Sequence, residues 1–459
     1  MESAMAIFPI DTGRYGTPEM RRIFEAEARL QKLLDVEAAL AWAQGQVGEI
    51  PKEDASEIVR KASTKYVKLS RVREIEGEVK HELMAMVKAL AEACGPSGAH
   101  VHLGATSSDI LDTATALQLK EAIGIIQRRL SLLEETLMYL AKENRSTVMA
   151  GRTHGQHALP ITLGFKFAVW LREVSRHIKR LEECSERVLV SKMSGAVGTQ
   201  AGLGSEALKI QKLVTDRIGL KPAEISTQII QRDRYAELIC LFSIIASSLD
   251  KFATEIRELQ RPEIGELAEP FEVERQIGSS TMPHKRNPIL CERICGLAKV
   301  VRSLVPPALE NVITWHERDL TQSSCERFII PEACILVDYM IHMMINVLSG
   351  LHIDKERMRR NLDQSQGRIM SEAVMLALAR RGMSRQKAHA LVRRLSMLSE
   401  ERHQPFKEAL AENETIKSFL SINEIEETLV PDGYLGTASE QIDRAIELAE
   451  AERNRRRDV

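Results

Sequence analysis

Apolar residues recur at steps of three and four along three stretches of the chain. Ile123, Ile126, Leu130, Leu133, Leu137 and Leu140 form the first, and Leu163, Phe167, Trp170, Val174, Ile178 and Leu181 the second. Leu238, Leu241, Ile245, Leu249, Phe252, Ile256 and Leu259 form the third, which Pro262 closes. Such spacing puts each set on one face of a helix. At 1.5 Å per residue the third is a rod of about 40 Å. Rods with apolar stripes need partners on several sides, so the pattern predicts an all-α protein around a bundle of long helices. Copies of the same chain can bury what one chain leaves exposed.

The flanks read differently. Residues 17 to 94 carry shorter helical patterns broken by Gly48 and Pro51, then by Gly95-Pro96-Ser97-Gly98. After Gly350 the apolar runs shorten, and turn residues recur at Pro405, Asn413, Asn423 and Pro431-Asp432-Gly433. The chain is therefore expected to comprise an N-terminal helical unit (1–105), a central long-helix unit (106–351) and a C-terminal helical unit (352–459). Its basic end, Arg453 to Arg457, reads as a solvated tail. The apolar segment Tyr339 to Leu351 is interrupted by His342, Asn346 and Ser349. It falls short of the roughly 18 apolar residues a bilayer span needs and reads as a buried helix.

Composition narrows the function. The 459 residues exceed what one core normally spans, consistent with several units. Aromatics are only 4%, and the abundant Ala, Leu, Glu, Lys, Arg and Met favour helices. Charged residues make up 28% with a formal net charge of -2, so neither a nucleic acid nor a membrane is the expected partner, and a small molecule is. Seven scattered cysteines without a CxxC pair suit reduced thiols in a cytoplasm. The segment Met1 to Tyr15 carries Glu2 and Asp11 and lacks the basic and apolar regions of an export signal.

Four polar segments stand out against this background. Gly278-Ser279-Ser280-Thr281-Met282-Pro283-His284-Lys285-Arg286-Asn287-Pro288 reads as a loop that sets hydroxyls, a lysine and an asparagine close together. These donors suit a carboxylate with growing negative charge. Gly151-Arg152-Thr153-His154-Gly155-Gln156-His157-Ala158-Leu159-Pro160 reads as a turn ahead of the second rod, with a histidine able to move protons near neutral pH. His100 to Asp109 opens the first rod, where Thr106, Ser107 and Asp109 serve equally as helix caps and as part of an anion site. Trp315-His316-Glu317-Arg318-Asp319 through Arg327 holds two arginines and hydroxyls, which fits either a phosphate clamp or an exposed ion-pair cluster.

Together these segments resemble the fumarase/aspartase superfamily, whose signature loop GSSxMPxKxNP is met by residues 278–288 at every specified position. Arg14-Tyr15-Gly16-Thr17-Pro18-Glu19-Met20, Lys80-His81, Ser226-Thr227-Gln228 and the 315–327 segment extend the likeness over nearly the whole chain. They are similar to the branch that eliminates fumarate from succinylated purine nucleotides. Two departures are modest: Ile161 stands where threonine is common, and Gly16 where serine is common.

The resemblance implies an all-α fumarase/aspartase-like fold and a carbon–nitrogen lyase working by β-elimination without cofactor or metal. Ser279 matches the family's base and His154 its acid. Thr106, Ser107, Thr153, Gln228, Lys285 and Asn287 match substrate-binding positions. Arg14, Tyr15, His81, Arg318, Ser323 and Arg327 match contacts to the nucleotide or its phosphate. It further implies a homotetramer in which each site draws segments from three chains.

Three other readings fit parts of the chain. A sister enzyme, such as a carboxymuconate cycloisomerase or an argininosuccinate lyase, shares the signature loop and differs at the nucleotide-end residues. A metal-dependent hydrolase could use His100, His102, His154 and His157, but leaves the Gly-Ser-Ser loop unexplained. A non-catalytic helical scaffold has no use for the intact Ser279, Lys285 and His154.

Overall fold

The computed structural model describes residues 8–272, 277–278 and 280–457, and what it describes is mostly helical. Five helices come first: α1 (Pro18–Ile23), α2 (Ala26–Val47), α3 (Lys52–Lys61), α4 (Leu69–Val79) and α5 (Glu82–Cys94). Gly48 ends α2 in the left-handed conformation, and Pro51 caps α3, as the punctuation predicts. A 3-10 turn over Gly95–His100 then leads into α6 (Ser107–Glu143).

Strands β1 (Val148–Thr153) and β2 (Gln156–Thr162) follow as an antiparallel hairpin. Next come α7 (Leu163–Val188), α8 (Ala207–Ile218), α9 (Asp233–Leu259), α10 (Ile289–Ser303), α11 (Val305–Glu310) and α12 (Thr321–Ser349). All nineteen stripe residues of the three rods are buried, on α6, α7 and α9. The apolar segment expected as a buried helix belongs to α12, which starts well ahead of it. That helix is long and apolar enough by composition to cross a membrane, yet 72% of its most apolar window is buried inside the protein.

The remaining helices are α13 (Lys355–Asp363), α14 (Ser371–Arg380), α15 (Arg385–Glu401), α16 (Phe406–Ala411), α17 (Glu414–Lys417), α18 (Ile422–Thr428) and α19 (Ala438–Arg457). Pro405 and Asn413 sit at helix N-caps, whereas Asn423, expected in a turn, lies inside α18 behind the capping box of Ser421 and Glu424. The basic C-terminus is no free tail. It is the last turn of α19, where Arg453 bonds Glu135 at 2.6 Å and Arg456 pairs with the fully buried Glu134. A buried carboxylate needs such a partner, and that need holds the helix end in place.

Contacts group the described residues into two compact units. Unit 1 takes those of Met1–Leu130, His177–Leu249 and Gly296–His342; unit 2 takes Ser131–Arg176, Asp250–Cys295 and Met343–Val459. In unit 1, α2, α3, α5 and α8 enclose a core of Leu, Ile, Val and Ala side chains around Leu34, Ile58 and Leu90. In unit 2, Trp170 stacks on Phe252 with ring centroids 4.7 Å apart, and Phe167 meets Trp170 edge-on. A second core around Leu378 and Phe406 fills the C-terminal helices. All seven cysteines are free thiols, five of them buried.

Candidate active site

In unit 2, the segment read as a turn is a full hairpin, and His154 is at its tip. Thr153 pairs with Gln156, leaving His154 and Gly155 as a two-residue loop with φ of 55° and 74°. Positive φ at both central residues is what a type I′ turn demands and what matches the twist of the strands. Glycine adopts it freely, and histidine tolerates it better than most residues. The imidazole of His154 and the hydroxyl of Thr153 are thereby held out in solvent on a stiff support.

Arg152 fastens that support. It donates to both oxygens of Glu266, at 2.8 and 2.7 Å, and Glu266 is fully buried and also accepts from Asn361 at 2.8 Å. The neighbouring His157 is held below the usual histidine range by burial, and then by the charge of Arg152. It therefore stays neutral near pH 7.

The signature loop leaves and rejoins the helices of the same unit through a set of hydrogen bonds. Buried Glu269, just before the loop, accepts from the backbone N–H groups of Leu290 and Cys291 at 3.1 and 3.0 Å. A carboxylate thus sits on the first turn of α10, where free amides and the helix dipole favour it. Gln260 accepts from Glu269 N at 3.0 Å and donates to the carbonyl of Arg286 at 3.3 Å. Asn287 donates to the carbonyl of Gly278 at 3.0 Å, so its amide closes the loop. A Cβ on Gly278 would lie 2.0 Å from Lys285 O, which only glycine allows. Lys285 is exposed, and Ser279 lies outside the described residues.

In unit 1, six of the expected residues line one open cavity of about 510 Å³: His81, Ser107, Gln228, Arg318, Ser323 and Arg327. Thr106 joins them through Gln228, whose amide nitrogen is 3.5 Å from its hydroxyl while the amide oxygen accepts from Arg318 at 3.3 Å. The start of α6 is fixed from below. Asp109, fully buried, accepts from the N–H groups of Thr106 and Ser194 at 2.8 Å each and from Lys192 Nζ at 2.5 Å. Capping and site-building thus coexist there. His81 caps α5, accepting from Met84 N at 3.3 Å.

A second, smaller cavity shares Arg318, Ser323 and Arg327 with the first and is walled by charge pairs. Buried Arg232 bonds Asp112 at 2.8 and 3.0 Å and Glu326 at 2.7 and 3.1 Å. Burial raises the Glu326 carboxyl above its usual range, against the charge of Arg232. Glu82 pairs with Arg327 and lies 3.5 Å from Arg29. Gln322, 1% exposed, also lines this cavity, and its buried side-chain oxygen has no hydrogen-bond partner among the described residues.

Arg14 and Tyr15 are not among the residues lining either cavity. They belong to an N-terminal strap laid on α12, where the Tyr15 and Tyr339 rings stand 6.0 Å apart. Two histidines of the metal-site reading have carboxylate neighbours in unit 1. His100 lies 3.0 Å from Asp54, and His102 is 2.7 Å from buried Glu37.

Sequence reasoning missed Asp109–Lys192, Asp112–Arg232–Glu326, Glu82, Glu266 and Glu269. A charged residue inside an otherwise apolar helical run, as at Asp112, is the one local signal available. Its partner 120 residues away has none.

The helical architecture and the 278–288 loop define a lyase of the fumarase/aspartase type, and a family model described as Lyase matches residues 13–303. The solved 3-carboxy-cis,cis-muconate lactonizing enzyme from Pseudomonas putida shares the fold with a TM-score of 0.89 and 33% identity, covering 97% of this chain and 100% of that one. A second family model, described as Adenylosuccinate lyase C-terminus, matches residues 367–445. Proteins named adenylosuccinate lyase are 53% identical in Pyrococcus abyssi and 52% in Methanothermobacter thermautotrophicus. They span 97% and 96% of this chain and 98% and 99% of their own lengths. The chain belongs to the adenylosuccinate lyase family.

Proposed function

We propose that the chain cleaves adenylosuccinate to AMP and fumarate, and SAICAR to AICAR and fumarate, by β-elimination. The observation that carries this reading is the identity above 50% along nearly the whole length of two proteins of that name. Ser279, as the base, takes the proton from the succinyl carbon beside a carboxylate. The electron pair left on that carbon spreads into the carboxylate, where Lys285 and loop amides stabilise it. The C–N bond then breaks, its electrons pass to the purine-side nitrogen, and His154 protonates that nitrogen.

An isolated serine is a weak base, so the loop must favour its alkoxide, and a cationic Lys285 does so. Thr106, Ser107, Thr153, Gln228 and Asn287 hold the succinyl end. Arg14, Tyr15, His81, Arg318, Ser323 and Arg327 hold the nucleotide and its phosphate. We assign the division at 105 and 351, the cytoplasmic location and a homotetramer with sites shared among three chains to the same reading. The exposed tip of the His154 hairpin suits a residue that serves a neighbouring chain.

The test is fumarate release from adenylosuccinate by purified protein, beside Ser279→Ala and with a chelator present. Turnover that survives chelation and collapses in the variant is expected. A folded, oligomeric protein without turnover on adenylosuccinate or SAICAR refutes the assignment. Mixing Ser279→Ala with His154→Asn subunits tests the sharing of sites, because only shared sites let the mixture recover activity.

A further inference from the structure

The strap that carries Arg14 and Tyr15 is held by a group which the reaction does not use. Thr17 donates its hydroxyl to Asp338 at 2.5 Å, and both side chains are buried, at 6% and 0% exposure. The same hydroxyl oxygen accepts from Met20 N at 3.3 Å and so caps α1. Asp338 takes a second bond from Arg129 Nε at 3.3 Å. Tyr15 meets Tyr339, and a Cβ on Gly16 would lie 2.6 Å from Ile335 Cγ2. Residues 335, 338 and 339 form one face of α12, since positions three and four apart are neighbours on a helix. Ser323 and Arg327 lie earlier on that helix, both lining the cavity. Pro331, one turn beyond Arg327, removes the N–H that would bond the Arg327 carbonyl.

We propose that Asp338 is a positioning residue for the nucleotide end, acting through Thr17 to fix the Arg14–Tyr15 strap on the helix that bears Ser323 and Arg327. This rests on the reading above that these four residues hold the nucleotide. A hydrogen bond from a hydroxyl to a buried carboxylate is short and directional, and its loss leaves the carboxylate with one partner fewer. The strap then keeps its apolar docking but loses its register on α12. Binding suffers, and the chemical step, which depends on other segments, does not.

The experiment is steady-state kinetics on the intact oligomer with adenylosuccinate, comparing wild type, Thr17→Val, Thr17→Ser, Arg14→Ala and Thr17→Val/Arg14→Ala. Thr17→Val should raise KM about tenfold with kcat held within about twofold, the signature of lost uniform binding, and Thr17→Ser should restore it. In the Arg14→Ala background Thr17→Val should add little, because it acts through that arginine. If Thr17→Val does not fold, Asp338→Asn is read by the same comparison. An unchanged KM in the folded variant overturns the proposal, as does full additivity with Arg14→Ala. If Arg14→Ala, and Arg327→Ala measured beside it, leave KM unchanged, the nucleotide-end assignment falls. If they raise it while Thr17→Val does not, only the role of Asp338 falls.

Discussion

Arg152 and Glu266 form a two-pronged ion pair, at 2.8 and 2.7 Å, at the stem of the hairpin that presents His154. Glu266 is fully buried and Arg152 only 16% exposed, which makes removal of one partner far costlier than the pair's net worth. Glu266→Ala should therefore destabilise the protein by about 3–5 kcal/mol, seen as a drop in Tm. Glu266→Gln keeps the shape and a hydrogen bond and should fall between it and wild type. A Glu266→Ala protein with unchanged Tm would falsify the view that this pair anchors the hairpin.

His154 has a backbone requirement as well as a chemical one, because its φ is 55°. Asparagine tolerates that conformation and cannot act as an acid, so His154→Asn should preserve Tm while lowering kcat about 10²- to 10⁴-fold. A β-branched replacement such as His154→Val should lose stability too. If His154→Asn retains wild-type kcat, the acid is another residue.

The long helices were legible because their signal is local: every stripe residue named from spacing is buried. Short-range punctuation at Gly48, Pro51, Pro405 and Asn413 was legible for the same reason. The hairpin around His154 was read only as a turn, since Val148 to Thr162 carries glycine and proline that obscure its alternation. The fate of Arg453 and Arg456 depends on Glu135 and Glu134, more than 300 residues earlier, and nothing near them announces it. Of the expected site residues, His81, Ser107, Gln228, Arg318, Ser323 and Arg327 gather around one cavity in unit 1, at the starts of α5, α6 and α12 and in the loops ahead of α9 and α12. Arg14 and Tyr15 fall outside it, on a strap that the hydrogen bond of Thr17 ties to Asp338 on α12.

His102 and Glu37 give the stability a pH dependence. Burial pulls the His102 pKa down, but the hydrogen bond and charge of Glu37 outweigh it, with help from Asp109, and the net shift is upward. A histidine whose folded pKa exceeds its unfolded value of about 6.5 stabilises the fold fully below that pH. The contribution fades as pH rises through the folded value. The Tm of His102→Gln should thus lie below wild type at about pH 6, and the gap should shrink towards about pH 9. Parallel Tm profiles for the two proteins would sink this account.

Gly16 departs from the serine that the resemblance leads one to expect, and a contact in the structure favours glycine there. With φ of +99° it occupies backbone space that side chains avoid, and a Cβ there would come within 2.6 Å of Ile335 Cγ2. The Arg21 stem would be about as close, at 3.0 Å, but an arginine stem can move aside where a packed isoleucine on α12 cannot. Gly16→Ser should therefore cost about 1–3 kcal/mol from strain and overpacking together, and raise KM for adenylosuccinate by displacing Tyr15. Ile335→Ala alone should also destabilise, because it opens a cavity in a tight interface. Combined, the two changes fill and empty the same space, so the double variant should recover part of the loss in both Tm and KM. If the losses simply add, serine at position 16 is excluded by backbone conformation alone, and Ile335 has no part in the choice of glycine.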